Sequence, residues 1–285
     1  MARRHGIFED EKLRAAAKNA LTMPGPAHHP PAHYPRGIAV SQSSSQPAAD
    51  VVKAFAPTGT LRVAINLGNS VLAQTDPATG APKGVTPELA AELAKRLSVP
   101  HTFTTFDAAG KVFEAIKRGE IDLAFLAIEP VRAAEIDFTA PYVIIEGVYM
   151  VPKDSALKSV AEVDRAGVRI AVNKGSAYDL FLTRTLKNAT LVRGDDGVAL
   201  FRKDKLEAAG GVKQPLVAYA KTDPGVRVMD GRFMEIRQAM GTPKGRSAAA
   251  PYLRSFIEEM KASGFVADAL KRSNQPDAAV APPER

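Results

Sequence analysis

Residues 121–142 read IDLAFLAIEPVRAAEIDFTAPY, and this stretch decides the predicted fold. The run Ile121–Ile128 is almost entirely apolar, which is typical of a strand buried on both faces of a parallel-type sheet. A segment with one apolar face, Lys111–Arg118, precedes it and predicts a helix that stops at Gly119. Upstream, Thr60–Ile65 alternates as a strand does. The resulting order of strands and helices predicts a doubly wound α/β lobe.

The same plan occurs a second time along the chain. Val168–Val172 predicts a buried strand, and the turn that follows leads through Gly175-Ser176 into a helix. We expect further strands at Leu216–Ala220 and Val226–Met229, and a long amphipathic helix at Tyr252–Ala262. The sequence therefore predicts two α/β units.

Composition excludes several classes of protein. The chain has 285 residues, a formal net charge of +7 and no cysteine, so disulfide frameworks, Cys-ligated zinc and iron–sulfur clusters are excluded. Strictly apolar runs such as Leu123–Ile128 are far shorter than the roughly 20 residues of a membrane-spanning helix. The basic residues are scattered and tryptophan is absent, so we expect no nucleic-acid partner.

The two ends of the chain differ from the middle. Residues 1–57 are rich in proline and polar residues, which predicts a flexible extension. Acidic residues at 9–11 interrupt what could have been the apolar core of an export signal, so no signal is recognised. We expect no bound metal at the histidines of this segment, which are His5, His28, His29 and His33. Residues 273–285 predict a loose tail.

Two features suggest an anion site. Arg132 follows a buried strand, where α/β folds bind ligands, and its planar guanidinium suits a carboxylate. An exposed ion pair with Glu135 or Asp137 is an equally good interpretation of Arg132 from the sequence alone. The turn Gly175-Ser176 would offer N–H groups at a helix start, although Ser176 could simply cap its own helix.

Three segments together resemble a known family. They are Gly119–Leu123, Glu129–Arg132 and the run from Ile136 to Tyr142, which reads IDFTAPY. In this order they are similar to the family 3 extracellular solute-binding proteins, the polar-amino-acid-binding components of ABC importers. The resemblance extends over about residues 58–272.

The resemblance implies a fold and its boundaries. Members of the family have two α/β lobes of the type II periplasmic binding protein kind, joined by two crossover strands. We therefore expect an extension at 1–57, a first lobe at 58–141 plus 242–272, a second lobe at 142–241, and the tail. The crossover strands are expected near Tyr142–Val151 and Phe233–Thr242.

The resemblance also implies a ligand site. Arg132 would bind the α-carboxylate of the ligand, helped by the Gly175-Ser176 turn. Glu207 is the nearest counterpart of an acid that takes the α-amino group, with a solvated helix residue as the alternative, and Glu129 adds a second negative group. The expected ligand-binding residues are Asn66, Asn69, Ala127, Glu129, Arg132, Gly175, Ser176 and Glu207.

The implied function is capture of a small amino-acid-like solute by a monomer that hands it to a membrane ABC permease, without cofactor or metal. The family implies a periplasmic location. Two alternatives remain. One is an enzyme resembling cyclohexadienyl dehydratases, with Glu129 as a general acid in the same cleft. The other is an orphan sensory module that has no permease of its own.

Overall fold

The computed structural model describes residues 46–275 and 277–284. Most of the expected extension, including its four histidines, lies outside the described residues. The helices are α1 (Ala49–Phe55), α2 (Val85–Leu97), α3 (Ala109–Lys117), α4 (Pro130–Ala133), α5 (Ala177–Thr185), α6 (Gly197–Lys203), α7 (Lys213–Thr222), α8 (Ala249–Ala262) and α9 (Phe265–Arg272). None of the helices described is long and apolar enough to span a bilayer.

The strands define the topology of the fold. They are β1 (Leu61–Asn66), β2 (Gln74–Thr75), β3 (Pro82–Lys83), β4 (His101–Phe106), β5 (Ala124–Ala127), β6 (Ile136–Pro152), β7 (Arg169–Asn173), β8 (Thr190–Gly194), β9 (Ala208–Val212), β10 (Val226–Val228), β11 (Met234–Pro243) and β12 (Ala279–Val280). We call β1–β5 with α1–α4, α8 and α9 the first lobe, and β7–β10 with α5–α7 the second lobe. The fold is the expected two-lobed α/β type.

The first lobe is built around β1 and β5. Strand β1 pairs in parallel with β4, and a single bridge from Val63 to Leu123 links it to the segment that leads into β5. All four residues of β5 are buried, which confirms the strand predicted from the apolar run. Leu89 and Leu93 of α2 are fully buried on one face, while Val112 of α3 packs in a separate apolar cluster.

Two long strands join the lobes. Strand β6 has 17 residues and pairs antiparallel with β11, from Gly147 opposite Met234 to Ile136 opposite Pro243. Their sheet has the order β5-β11-β6-β9-β7-β8, so it begins in the first lobe and ends in the second. This continuity confirms the expected crossover strands, and the residue boundaries of the lobes stay a prediction.

One strand predicted for the second lobe is a helix in the structure. Residues 216–220 lie inside helix α7 and not in a strand. Leu216 is buried in an apolar cluster that also contains Phe201 and Met150, while the other side chains of α7 are at least partly exposed. A short apolar run cannot by itself distinguish a strand from one face of a helix. The strand predicted at 226–229 is confirmed as β10, which pairs with β6.

The packed part of the chain begins before the expected boundary at residue 57. Phe55 at the end of α1 is fully buried and meets the ring of Tyr252 edge to face, with centroids 6.0 Å apart. Arg246 Nη1 also donates to the Ala54 carbonyl at 3.0 Å. Residues 49–55 are thus part of the first lobe, because one aromatic side chain anchors a helix too short to be stable alone.

The C-terminal segment is also packed, contrary to the expected loose tail at 273–285. Strand β12 pairs with β6, with Ala279 opposite Ile144, and the Ala281 N–H donates to the Tyr142 carbonyl at 3.0 Å. Lys261 Nζ donates to the Pro282 carbonyl at 3.0 Å. Ala278 and Ala281 are buried in this segment, a packing that composition does not reveal.

Candidate functional site

A cavity of about 300 Å³ lies between the lobes, and we call it the interlobe cavity. It forms where β1, β5 and β7 end, at Asn66, Ala127 and Asn173, and the crossover strand β11 contributes Gln238. Ligands of α/β folds bind beyond the carboxyl ends of such strands. The expected residues that line it are Asn66, Asn69, Ala127, Arg132 and Ser176.

Arg132 is the buried cation of this cavity. It lies in α4, directly after β5, and is 1% exposed. Its Nη1 donates to the Ala127 carbonyl at 3.1 Å and its Nη2 to the Gly175 carbonyl of the second lobe at 2.9 Å. Desolvation lowers the pKa of Arg132 from 12.5 to about 10, although the nearby charge of Glu129 opposes this. Arg132 is therefore still a cation at neutral pH and is not the exposed surface arginine of the alternative interpretation.

The turn after β7 forms the opposite wall. Gly175 has a φ of +71°, a conformation that glycine adopts without strain, and its N–H donates to Asp179 Oδ2 at 2.8 Å. Ser176 Oγ accepts from the Asp179 N–H at 3.0 Å, so Ser176 does cap α5. A helix leaves its first N–H groups without intrahelical partners, and here they belong to Ala177 and Tyr178, which both line the cavity. This wall can therefore attract an anion.

Neutral amides complete the lining. Asn69 is 7% exposed, and its Oδ1 is buried without a hydrogen-bond partner. Gln238 is 6% exposed and was not predicted. It shares the buried face of β11 with Met234 and Ile236, at alternate positions. A polar residue on the apolar face of a strand was the signal that could have identified it.

Glu129 lies elsewhere than expected. It is 3% exposed, and its Oε2 is 2.6 Å from Nη1 of Arg184 on α5. The side chain does not line the interlobe cavity. Since Glu129 precedes α4 in the first lobe and Arg184 belongs to the second, the pair connects the lobes beside the cavity.

Glu207 is not near the cavity, and its expected role there was wrong. Its Oε1 is 2.8 Å from Nη2 of Arg169, and the guanidinium of Arg169 holds the pKa of Glu207 below its usual value. Arg169 begins β7, whereas Asn173 at the other end of that strand lines the cavity. Four steps along a strand separate the two ends by about 13 Å.

The described residues do not assemble a metal site. Within 46–275 and 277–284, no group of three or more His, Cys, Asp or Glu side chains is placed to hold an ion. The buried polar groups of the cavity are one guanidinium, amides, hydroxyls and backbone N–H groups, which suit an organic acid, while its other charged groups, on Asp107, Lys174 and Asp196, are exposed.

Two lobes, a pair of crossover strands and a buried arginine between the lobes define a protein of the two-lobed solute-binding class. The chain belongs to the bacterial extracellular solute-binding proteins, family 3, whose family model matches residues 61–273. None of the curated proteins matches this chain.

Solved structures share this fold at low sequence identity. A receptor for L-cysteine from Neisseria gonorrhoeae has a TM-score of 0.69 and 24% identity, covering 79% of this chain and 94% of its own. A cysteine-binding protein from Campylobacter jejuni has a TM-score of 0.67 and 19% identity, covering 78% and 92%. An ancestral amino-acid-binding protein, a precursor of cyclohexadienyl dehydratase, has a TM-score of 0.64 and 23% identity, covering 78% and 98%.

Proposed function

We propose that this protein captures a small, amino-acid-like carboxylate in the interlobe cavity and presents it, as a monomer in the periplasm, to a membrane ABC permease. The observation that carries the proposal is Arg132, a cation only 1% exposed at a cavity wall. A buried guanidinium is costly unless charge and hydrogen bonds compensate it. A ligand carboxylate supplies both, through two charge-assisted hydrogen bonds.

Family membership and the cavity support the same function. The solved neighbours with binding functions in their descriptions bind amino acids such as L-cysteine. A volume of about 300 Å³ is at the lower end for ligand cavities, which fits a ligand of amino-acid size.

Closure around the ligand follows from where its partners lie. Arg132 belongs to the first lobe, and the α5 start at Ala177 belongs to the second. A ligand that contacts both stabilises the conformation in which they are close. We propose that the lobes, at 58–141 plus 242–272 and 142–241, move about β6 and β11, and that the permease recognises the closed form.

The dehydratase alternative has less support. It required the carboxyl group of Glu129 to act as an acid on a bound substrate. That carboxylate is 2.6 Å from the guanidinium of Arg184 and does not line the cavity. A general acid has to reach the reacting atom within hydrogen-bond distance. Binding without chemistry is therefore the proposal that we favour.

A thermal-shift screen tests the proposed function. The protein is heated with amino acids and related small carboxylic acids at millimolar concentration, beside their uncharged amides. An acid present at a concentration 100 times its Kd stabilises the folded state by about 2.7 kcal/mol, which raises Tm by several degrees. We expect a shift with at least one acid and none with its amide. A screen in which no acid raises Tm, or in which the amide acts equally well, would contradict the proposal.

A further inference from the structure

We infer that the ligand is a carboxylic acid with a neutral oxygen at its α position, a 2-hydroxy or 2-oxo acid, and not a free amino acid. The inference rests on the proposed function and narrows the class of ligand. It follows from the charges, acceptors and amides that surround the interlobe cavity.

Arg132 and Glu129 are buried charged groups beside the cavity; the charge of Glu129 acts on Arg132, but its nearest cation is the partly exposed Arg184. Glu129 and Arg184 form an ion pair with each other, at 2.6 Å. Arg132 is then the buried cation without a carboxylate at hydrogen-bond distance among the described residues. A ligand carboxylate neutralises it. An ammonium group on the same ligand would add a positive charge close to Arg132, and burying an unpaired charge is costly.

The acids that do line the cavity are at its rim and have other partners. Asp107 is exposed, and its Oδ2 accepts from Lys111 Nζ at 2.8 Å. Asp196 is also exposed and caps α6, where its Oδ1 accepts from the Val198 and Ala199 N–H groups at 3.0 Å each. Among residues 46–275 and 277–284, the cavity therefore has no buried carboxylate that could receive an ammonium group.

The carbonyl groups beside Arg132 do not replace that carboxylate. An ammonium has three donors to satisfy and no acceptor. The Ala127 and Gly175 carbonyls, the two nearest to the guanidinium, already accept from Arg132 at 3.1 and 2.9 Å. An amine placed there would compete with a cation for the same oxygens.

The amides of the cavity suit a neutral oxygen. Asn69 and Gln238 are more than nine-tenths buried, and Asn69 Oδ1 has no hydrogen-bond partner. An amide can accept from a hydroxyl through its oxygen and donate to a keto group through its nitrogen. A buried acceptor left unpaired is unfavourable, so Asn69 favours a ligand whose hydroxyl can donate to its Oδ1 over an apolar acid, and the buried Gln238 offers an N–H donor that suits a keto oxygen.

Calorimetry with matched ligands tests the inference on the unmodified protein. Each amino acid is compared with the 2-hydroxy and 2-oxo acids that carry the same side chain: alanine with lactate and pyruvate, leucine with 2-hydroxy-4-methylpentanoate and its 2-oxo form, phenylalanine with phenyllactate and phenylpyruvate. We expect an oxygen acid to bind at least tenfold more tightly than its amino acid. An amino acid that binds as tightly or more tightly overturns the inference and leaves carboxylate capture intact. Absence of binding in all three series overturns both.

A charge introduced at one amide provides a second test. Gln238→Glu changes the size of the side chain little and gives the cavity wall a carboxylate. We expect the ratio of amino-acid to hydroxy-acid affinity to rise at least tenfold, whereas Gln74→Glu, on β2 outside the cavity, should leave it unchanged. An unchanged ratio in Gln238→Glu would contradict the inference.

Discussion

Nη1 of Arg184 lies 2.6 Å from Oε2 of Glu129, so an ion pair connects α5 of the second lobe to the start of α4 in the first. The carboxylate side is almost fully buried, while the side chain of Arg184 is 42% exposed. Together with the Arg132–Gly175 hydrogen bond, it ties the two lobes beside the cavity. Both contacts require the lobes to be close, so they favour closure.

Loss of Arg184 should weaken ligand binding. Arg184→Gln leaves Glu129 buried and unpaired whenever the lobes are close, which favours the open form. Because Arg184 is partly exposed, we expect a modest cost of about 1–2 kcal/mol, or roughly tenfold in Kd. The double variant Glu129→Gln/Arg184→Gln should bind more tightly than Arg184→Gln alone. Calorimetry with the best acid of the panel measures this, and an unchanged Kd in Arg184→Gln would show that the pair does not support closure.

A methyl group at Gly175 should hold the lobes apart. Its Cβ would lie 3.1 Å from the Gly110 Cα on α3, and the φ of +71° strains any side chain. Gly119→Ala is a matched control, since its φ is +72° and nothing lies within 4 Å of the added carbon. We expect both variants to lose about 1 kcal/mol of stability, and only Gly175→Ala to lose affinity, at least tenfold. Equal affinity of the two variants would argue against this contact.

Asp122 should stabilise the first lobe in a pH-dependent way. Desolvation alone would raise the pKa of this fully buried carboxyl, but hydrogen bonds from Arg62 and Arg246, at 2.7 Å each, outweigh it and hold the pKa below the ordinary 3.8. The stabilisation is therefore fully present above about pH 4 and is lost as pH falls through the lowered folded-state pKa.

Urea unfolding of Asp122→Asn measures this contribution. We expect a loss of about 3 kcal/mol at pH 7, because two partly buried guanidinium groups lose their partner, and a much smaller difference at pH 2. Asp268→Asn, at a largely exposed ion pair, should change stability by less than about 1 kcal/mol. A difference for Asp122→Asn that is the same at both pH values would contradict the assignment.

Helix α1 should depend on one aromatic side chain. Phe55→Ala removes a fully buried ring and should cost about 3–4 kcal/mol in the free energy of unfolding. Lys53→Ala changes the same helix at an exposed position and should have little effect. Urea denaturation compares the two variants. If Phe55→Ala were as stable as Lys53→Ala, α1 would not be part of the packed first lobe.

Much of the fold could be predicted from local patterns. The apolar run before Arg132 identified β5, because a strand buried on both faces has a distinctive composition. Helix α7 could not be predicted in the same way. Its run of apolar residues is too short to show a period, and only the packing of Leu216 in the second lobe fixes the helical form.

Site residues could be predicted where their position follows from the strand that precedes them. Contacts between segments far apart in the sequence could not. Arg132 lies at the cavity because it follows the end of a buried strand. Glu129 and Arg184 are 55 positions apart, and no local pattern reveals their pairing. Glu207 was placed in the site by resemblance alone, but it is beside Arg169 at the far end of β7.

The central claim is that Arg132 binds the ligand's carboxylate, and titration calorimetry of Arg132→Gln with the best acid of the panel tests it most directly. Arg118→Gln, at an exposed ion pair with Glu120, is the control for loss of an arginine, and circular dichroism establishes that both variants fold. We predict that Arg132→Gln binds the acid at least a hundredfold more weakly, about 3 kcal/mol, and that Arg118→Gln binds it like the unmodified protein. A folded Arg132→Gln variant that binds the acid with unchanged affinity would contradict the account.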